Sequence, residues 1–370
     1  MADKISLTVD YRPTQNLHHN RGLGMFVSQL TQSIIDPDIQ IQKLSQIKNI
    51  GNYYSFRFGC HNKLCRILTR LNPWLDYSSK FKQIEADFFL ATDFNFYPSP
   101  HQFKNILSIL YDTHAFDQGE HINLWLKKSF LNLKTHAGFF AISEYSKQCF
   151  IKEFDLLPSK IQVTYPGYNP NIYNIHIPTL LREEINTLQS YSLEKYFLYV
   201  GGSNPNKNIP RLIEAFYKLQ HQYPDIKLVL VGREHFYNKK HLSLIKNLKL
   251  TKSIILTGYL SQDLTKHLYQ KATAFIFPSI KEGFGLPVLE AMACACPVIT
   301  ANTTSLPEVG GNAVHYITPT NVNEIYEAMK LFLEDSKLQN QYKSLGLEQC
   351  KKFSWQTTSQ IIIQKIKELR

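Results

Sequence analysis

An alternation runs through this chain from one end to the other. Short apolar runs rich in β-branched and aromatic residues are followed by stretches of helical length and polarity. In the first half the runs fall at 4–10, 87–92, 106–111, 137–142 and 161–164. The second half restarts at "KYFLYVGG" (195–202), with a helical pattern at 208–223 and a run at 226–232. A run at 253–259, a helical pattern at 261–272, "AFIFPS" (274–279) and "PVITA" (297–301) complete it. Strands spaced by helices predict α/β architecture with parallel sheets. Between the halves, "YPGYNPNIYNIHIPTLLREE" (165–184) is rich in Pro, Asn and Tyr and reads as a linker. The expected division is a domain over 1–168, a second over 169–350, and a closing helix over 351–370 able to return to the first. Ligands of such sheets sit at the carboxyl ends of the strands, so the cleft between two such domains is the expected site.

Composition narrows the function classes. With 370 residues, 44% hydrophobic and 19% charged, the chain has the size and balance of a soluble two-domain protein. It contains no run of 18 apolar residues to span a bilayer, and "MADKISLTVDYRP" lacks the apolar core of a signal peptide. Six cysteines without a CxxC pair read as reduced thiols, so a cytoplasmic location is expected. A net charge of +11 favours anionic partners. The basic residues are dispersed and no RNA- or DNA-reading motif is present, so nucleic acid is not expected among those partners.

Four stretches fall where strand ends should be. In "EGFGLPVLEAMACACPVI" (282–299), Glu282 precedes Gly283 and Gly285, Pro287 suits a helix start, and Glu290 is expected in the first helical turn. Strand, glycine loop and helix in this order present N–H groups to an anion, phosphate above all. "GGSNPNKNIPRL" (201–212) repeats the theme, with Lys207 just ahead of a helix beginning at Pro210. In "NRGLGMFVSQL" (20–30), Gly22 and Gly24 are expected to precede an amphipathic helix. "SILYDTHAFDQGEH" (108–121) ends an apolar strand with Asp112, His114 and Asp117, more titratable groups than a loop needs. The "DPD" at 36–38 follows a helical pattern and precedes no glycine loop, so it reads as a turn. The chain shows no zinc spacing, Walker loop, Gly-x-Ser-x-Gly or dinucleotide fingerprint.

Taken together, these stretches resemble the retaining glycosyltransferases of family 4, which have the GT-B fold of two Rossmann-like βαβ domains. The likeness is most specific over 197–309, from "YVGGSNPNKNIPRLIEAF" through "LVLVGR" to "EGFGLPVLEAMACACPVITANTTSLPEV". The glycine stretch around Gly22 and Gly24 and the closing "FSWQTTSQIIIQKI" (353–366) follow it more loosely.

The resemblance implies roles for these residues. Glu290 would hold the ribose of a nucleotide diphospho-sugar. Glu282 and the backbone of Gly283, Phe284, Gly285 and Leu286 would hold the transferred sugar. Lys207 would meet the diphosphate, with N–H groups of the Gly22–Gly24 loop, and neither a metal nor a separate cofactor is expected. Asp112 and His114 compete for the polar role beside the reacting sugar. The implied partners are a nucleotide sugar, GDP-mannose or a UDP-sugar, and a surface glycan or lipid-linked acceptor. A sugar-nucleotide epimerase on the same fold is the alternative.

The chain departs from the pattern in four places. Asn206 stands where the family often has Arg, and Gly201 and Gly202 stand where many members carry another, with Arg211 or Arg233 as candidate replacements. Ala295 replaces a usual Gly, and Tyr111-Asp112 replaces a usual His-Asp. The segment 57–74 carries Leu64, Ile67, Leu68 and Leu71 at helical spacing among Arg57, Lys63, Arg66 and Arg70, with Trp74 beyond. That pattern suits peripheral attachment to the inner face of a membrane.

Overall fold

Runs such as FFLA, ILSIL and AFIF have no polar face to turn to water, so they belong in sheets covered on both sides. The computed structural model, which describes residues 4–14, 22–44, 86–92, 103, 105–112, 130–232 and 239–370, places them there, fully buried. The strands among the described residues are β1 Ile5–Asp10, β2 Ile39–Leu44, β3 Phe88–Ala91, β4 Ile106–Leu110, β5 Gly138–Ala141 and β6 Ile161–Val163. They continue with β7 Tyr196–Val200, β8 Lys227–Val231, β9 Ile254–Gly258, β10 Ala274–Phe277, β11 Val298–Ala301 and β12 His315–Ile317. The α-helices are α1 Gly22–Ser33, α2 Glu144–Phe154, α3 Arg182–Tyr191, α4 Ile209–Gln222, α5 Lys239–Asn247 and α6 Gln262–Lys271. After them come α7 Leu286–Ala293, α8 Leu306–Gly310, α9 Val322–Glu334, α10 Ser336–Cys350 and α11 Trp355–Glu368.

The strands form two six-stranded sheets, ordered β2-β1-β3-β4-β5-β6 and β12-β11-β10-β7-β8-β9, and every pairing is parallel. The expected α/β architecture is what the chain forms. Two strands were not expected. β2, IQIQKL, buries only its two ends and gains its place from one neighbour, β1, along the register Ile5–Ile39 to Asp10–Leu44. β12 is three residues long and also lies at a sheet edge.

Two compact units carry these sheets: Met1–Pro166 with Trp355–Arg370, and Gly167–Ser354. The first unit packs Phe89, Phe103, Leu110, Phe139 and Phe150 into its core, with the Phe89 and Phe103 rings stacked at 3.9 Å. Helix α11 belongs to this unit. Its Ile362 and Ile366 are wholly buried and its Trp355 meets the Phe26 ring edge-on at 4.9 Å. Lys367 Nζ donates to Asp36 Oδ2 at 2.9 Å and Asp38 Oδ2 at 3.2 Å. The Asp-Pro-Asp stretch is therefore a turn whose carboxylates anchor a helix.

One expectation about the first unit needs correction. Gly22 and Gly24 do not precede α1 but lie inside its first turn. Their contribution is helical backbone, whose first N–H groups have no partner within the helix.

The second unit has the strand order of a doubly wound sheet, with the first strand, β7, beside the fourth, β10. Chain progression reverses direction between them, which makes the gap above their carboxyl ends the topological switch point. The stretch read as a linker is tied to this unit. Tyr173 is buried. Lys266 Nζ donates to Asn174 Oδ1 at 2.7 Å, and Gln270 Nε2 donates to the Asn174 and His176 carbonyls, each at 2.9 Å. Side-chain bonds to its backbone, invisible to composition, fasten it to α6. Among the described residues, no helix is long and apolar enough to cross a membrane.

Candidate active site

Two loops meet at the switch point of the second unit. After β7 the chain makes a 3-10 turn over Pro205–Lys207, then passes through Asn208 in the left-handed region (φ 60°) into α4. Asparagine tolerates that conformation better than most residues. Its buried side chain donates to Pro278 O at 3.1 Å and Pro319 O at 2.6 Å, stapling the turn to the loop after β10 and to the loop that follows β12. Ile280 N donates to Asn206 O at 2.7 Å and Asn206 Nδ2 donates to Lys281 O at 3.0 Å. The turn and the glycine loop are thus one rigid piece.

That rigidity delivers Lys207 to Glu282. The ammonium donates to Glu282 Oε1 at 2.5 Å, with side-chain exposures of 20% and 12%. Lys207 Nζ also lies 5.4 Å from the centroid of the Phe277 ring, a favourable place for a cation. The two charges expected at separate ends of a ligand hold each other here.

A clamp behind the glycine loop escaped the sequence reading. Thr304 Oγ1 accepts from Glu282 N at 3.1 Å, and Ser305 Oγ donates to Glu282 O at 3.0 Å and Phe284 O at 2.9 Å. Thr303 Oγ1 donates to Ile280 O at 3.1 Å. These residues follow β11, at the carboxyl end of the next strand. The run "TTS" ahead of Leu306-Pro307 was the available signal. Phe284 is buried against Phe353, ring centroids 5.7 Å apart, so its side chain holds the loop to its own unit. Gly285 takes φ 117°, and a Cβ there would lie 2.8 Å from Leu306 Cδ2. Only glycine meets both conditions. Gly283 is buried in the same loop, and Leu286 opens α7.

Glu290 is the fifth residue of α7 and begins its second turn, not the first, because the helix starts at Leu286. Part of its surface meets solvent. Burial pushes its carboxyl up to about 8, while the Tyr173 and Tyr269 hydroxyls nearby pull it back toward the charged form. The open side tempers that shift. Tyr269 is wholly buried, with its hydroxyl beside the Glu290 carboxyl.

In the first unit, Asp112 is exposed, two residues beyond the end of β4. Gly22 and Gly24 lie in α1. His114 and the segment 57–74 lie outside the described residues. Of the departures from the family pattern, Asn206 serves the staple described above. Arg211 donates to Asn208 Oδ1 at 3.0 Å, which steadies the turn, and Arg233 lies outside the described residues. Ala295 has φ 53°, a conformation that explains why glycine is usual there.

Comparison with known proteins agrees with this architecture. The family described as glycosyl transferases group 1 matches residues 182–348. O-antigen chain mannosyltransferase B of Escherichia coli is 28% identical, across 92% of this chain and 94% of its own. The serotype-specific mannosyltransferase WbdA of the same organism is 33% identical across 61% of this chain, which spans 28% of that longer protein. Among solved structures, Anabaena HepE in complex with UDP and glucose superposes with a TM-score of 0.71 at 16% identity, covering 98% of this chain and 99% of its own. A sucrose-phosphate synthase from Thermosynechococcus elongatus gives 0.73 at 15% identity, covering 100% and 99%. Two parallel six-stranded sheets, the family match over 182–348 and a relative spanning nearly the whole length of the chain support a GT-B glycosyltransferase resembling the bacterial polysaccharide mannosyltransferases.

Proposed function

We propose that the protein is a retaining enzyme that takes a sugar from a nucleotide diphospho-sugar, GDP-mannose first among the donors, and extends a surface glycan or lipid-linked oligosaccharide. The observation that carries this reading is the Lys207–Glu282 pair at the switch point, with Glu290 on the helix that follows. The full-length likeness to an O-antigen mannosyltransferase supports mannose as the sugar. Glu290 accepts from the ribose hydroxyls. The diphosphate draws Lys207 away from Glu282, and the freed carboxylate, with the backbone of Gly283 to Leu286, accepts and donates hydrogen bonds to the sugar.

The chemistry follows from where charge develops. As the bond from the sugar's anomeric carbon to the phosphate oxygen breaks, the diphosphate gains charge, so Lys207 interacts more strongly with the transition state than with the bound donor. The acceptor hydroxyl attacks on the face the phosphate leaves, and its proton passes to the departing phosphate oxygen. Lys207 supplies the cation for this step, so the reaction as proposed needs no metal or separate cofactor. Asp112 or His114, and the α1 backbone at Gly22 and Gly24, keep the sugar and phosphate roles that the resemblance implies.

The test is to incubate the protein with GDP-mannose, UDP-glucose and UDP-N-acetylglucosamine and follow nucleotide release. Release from GDP-mannose, with an α-linked product by NMR from the α-linked donor, is expected. Release from a UDP-sugar alone overturns the mannose assignment, a β-linked product overturns retention, and no release from any donor overturns the reading.

A further inference from the structure

We propose that Glu282 is a specificity-determining residue: it competes with a nucleoside diphosphate for Lys207, so the site favours the intact sugar nucleotide over the product nucleotide. The proposal rests on the reading of Lys207 as the diphosphate cation and Glu282 as a sugar-binding group, and adds a function for the bond between them. Without a ligand, the Lys207 ammonium is committed to Glu282 Oε1 at 2.5 Å. The two side chains are only 20% and 12% exposed, so water is a poor substitute partner for either. Arg211, at the start of α4, donates to Asn208 Oδ1 at 3.0 Å and is committed elsewhere.

The backbone beneath each charge is fixed. Glu282 N donates to Thr304 Oγ1 and Glu282 O accepts from Ser305 Oγ. Lys207 N donates to Asn204 O at 2.8 Å, and the adjacent Asn206 is bonded to Ile280 N and to Lys281 O in the loop of Glu282. The two loops therefore cannot draw apart, and only side-chain rotation separates the charges. A diphosphate at Lys207 takes the counter-charge of Glu282 and brings phosphate charge up to its carboxylate. Like charges at close range repel strongly where water is scarce. An attached sugar relieves this, because its hydroxyls donate to the freed carboxylate. A bare nucleoside diphosphate brings no such donors, leaves Glu282 uncompensated and is disfavoured. After transfer the lysine returns to Glu282, and the product nucleotide is displaced.

Glu282→Gln keeps the size of the side chain and removes its charge-assisted hold on Lys207. Calorimetric titration should show this variant binding GDP or UDP about tenfold more tightly than the wild type does. The gain for the matching sugar nucleotide, GDP-mannose or UDP-glucose, should be smaller, because the bond from the sugar hydroxyls to the carboxylate is weakened. In a Lys207→Ala background the same substitution should lose most of its effect on GDP or UDP, since the competition needs the lysine. Nucleoside diphosphate affinity that is unchanged or weaker in Glu282→Gln overturns the inference and leaves the proposed function standing. So does an equal gain for the sugar nucleotide, or a full gain without Lys207, which is general repulsion. Loss of the fold in both Glu282→Gln and Glu282→Ala makes the pair a structural one and also overturns it. Binding of none of the four nucleotides to the wild type overturns both.

Discussion

Lys207 and Glu282 stand 75 positions apart in the chain and 2.5 Å apart in the fold, each on a loop that leaves a neighbouring strand at the switch point of the second sheet. Both are largely screened from water, and each serves as the other's counter-charge. Removing one partner of such a pair costs more than the pair contributes, because the survivor is left without a counter-charge.

Lys207→Ala is therefore expected to lower turnover by about 100-fold or more and sugar-nucleotide affinity by less, since the diphosphate gains charge as the sugar departs. Steady-state kinetics beside calorimetric affinity separate the two effects. A loss confined to affinity would make the lysine a binding group only.

The glycine loop offers a paired test of backbone conformation. Gly285→Ala meets a left-handed φ of 117° and a 2.8 Å approach to Leu306, and should cost about 2–4 kcal/mol. Ala295→Gly, at φ 53°, relieves a strained residue and should add up to about 1 kcal/mol. Urea denaturation of both variants checks the opposite signs.

Ser305→Ala removes one hydroxyl that serves the carbonyls of both Glu282 and Phe284. A stability loss of about 1–3 kcal/mol is expected from the unpaired carbonyls. Turnover should fall as well, because the Glu282 backbone loses its fixed position. A variant as stable and as active as the wild type would show that the clamp is incidental.

The raised carboxyl of Glu290 makes stability depend on pH. The unfolded chain releases this proton near 4.5 and the folded protein near 8, so between these values the folded state holds the extra proton. Its stabilising contribution is fully present below about pH 4.5, declines as pH rises and is gone above 8. Glu290→Gln lacks this decline and should gain on the order of 2–3 kcal/mol relative to the wild type on going from pH 5 to pH 9. Urea denaturation at the two pH values is the measurement.

Activity is expected to persist in EDTA, because Lys207 supplies the cation that the departing diphosphate needs. Complete loss, restored by magnesium or manganese, would show that the phosphate charge is met by a metal.

What the sequence by itself determined was local. Continuous apolar runs such as YFLYV and AFIF named the inner strands, because a run with no polar face is stable only between two covered faces. Gly283, Gly285 and Pro287 marked the loop that opens α7, because their backbone preferences act within a few residues. The edge strands β2 and β12 escaped: one alternates with glutamine, the other is three residues long, and each owes its place to a single neighbour. Only the tertiary structure decided the rest. Crossovers set the strand order that brings β7 beside β10, and that order chose Glu282 as the partner of Lys207. The same long-range packing put Ser305 behind the glycine loop, turned Asn206 into a staple and set the Tyr269 hydroxyl beside Glu290. Periodicity and turn chemistry act over a few residues and leave a trace in sequence. A hydrogen bond between side chains on different elements leaves none, because its geometry is fixed by the whole sheet.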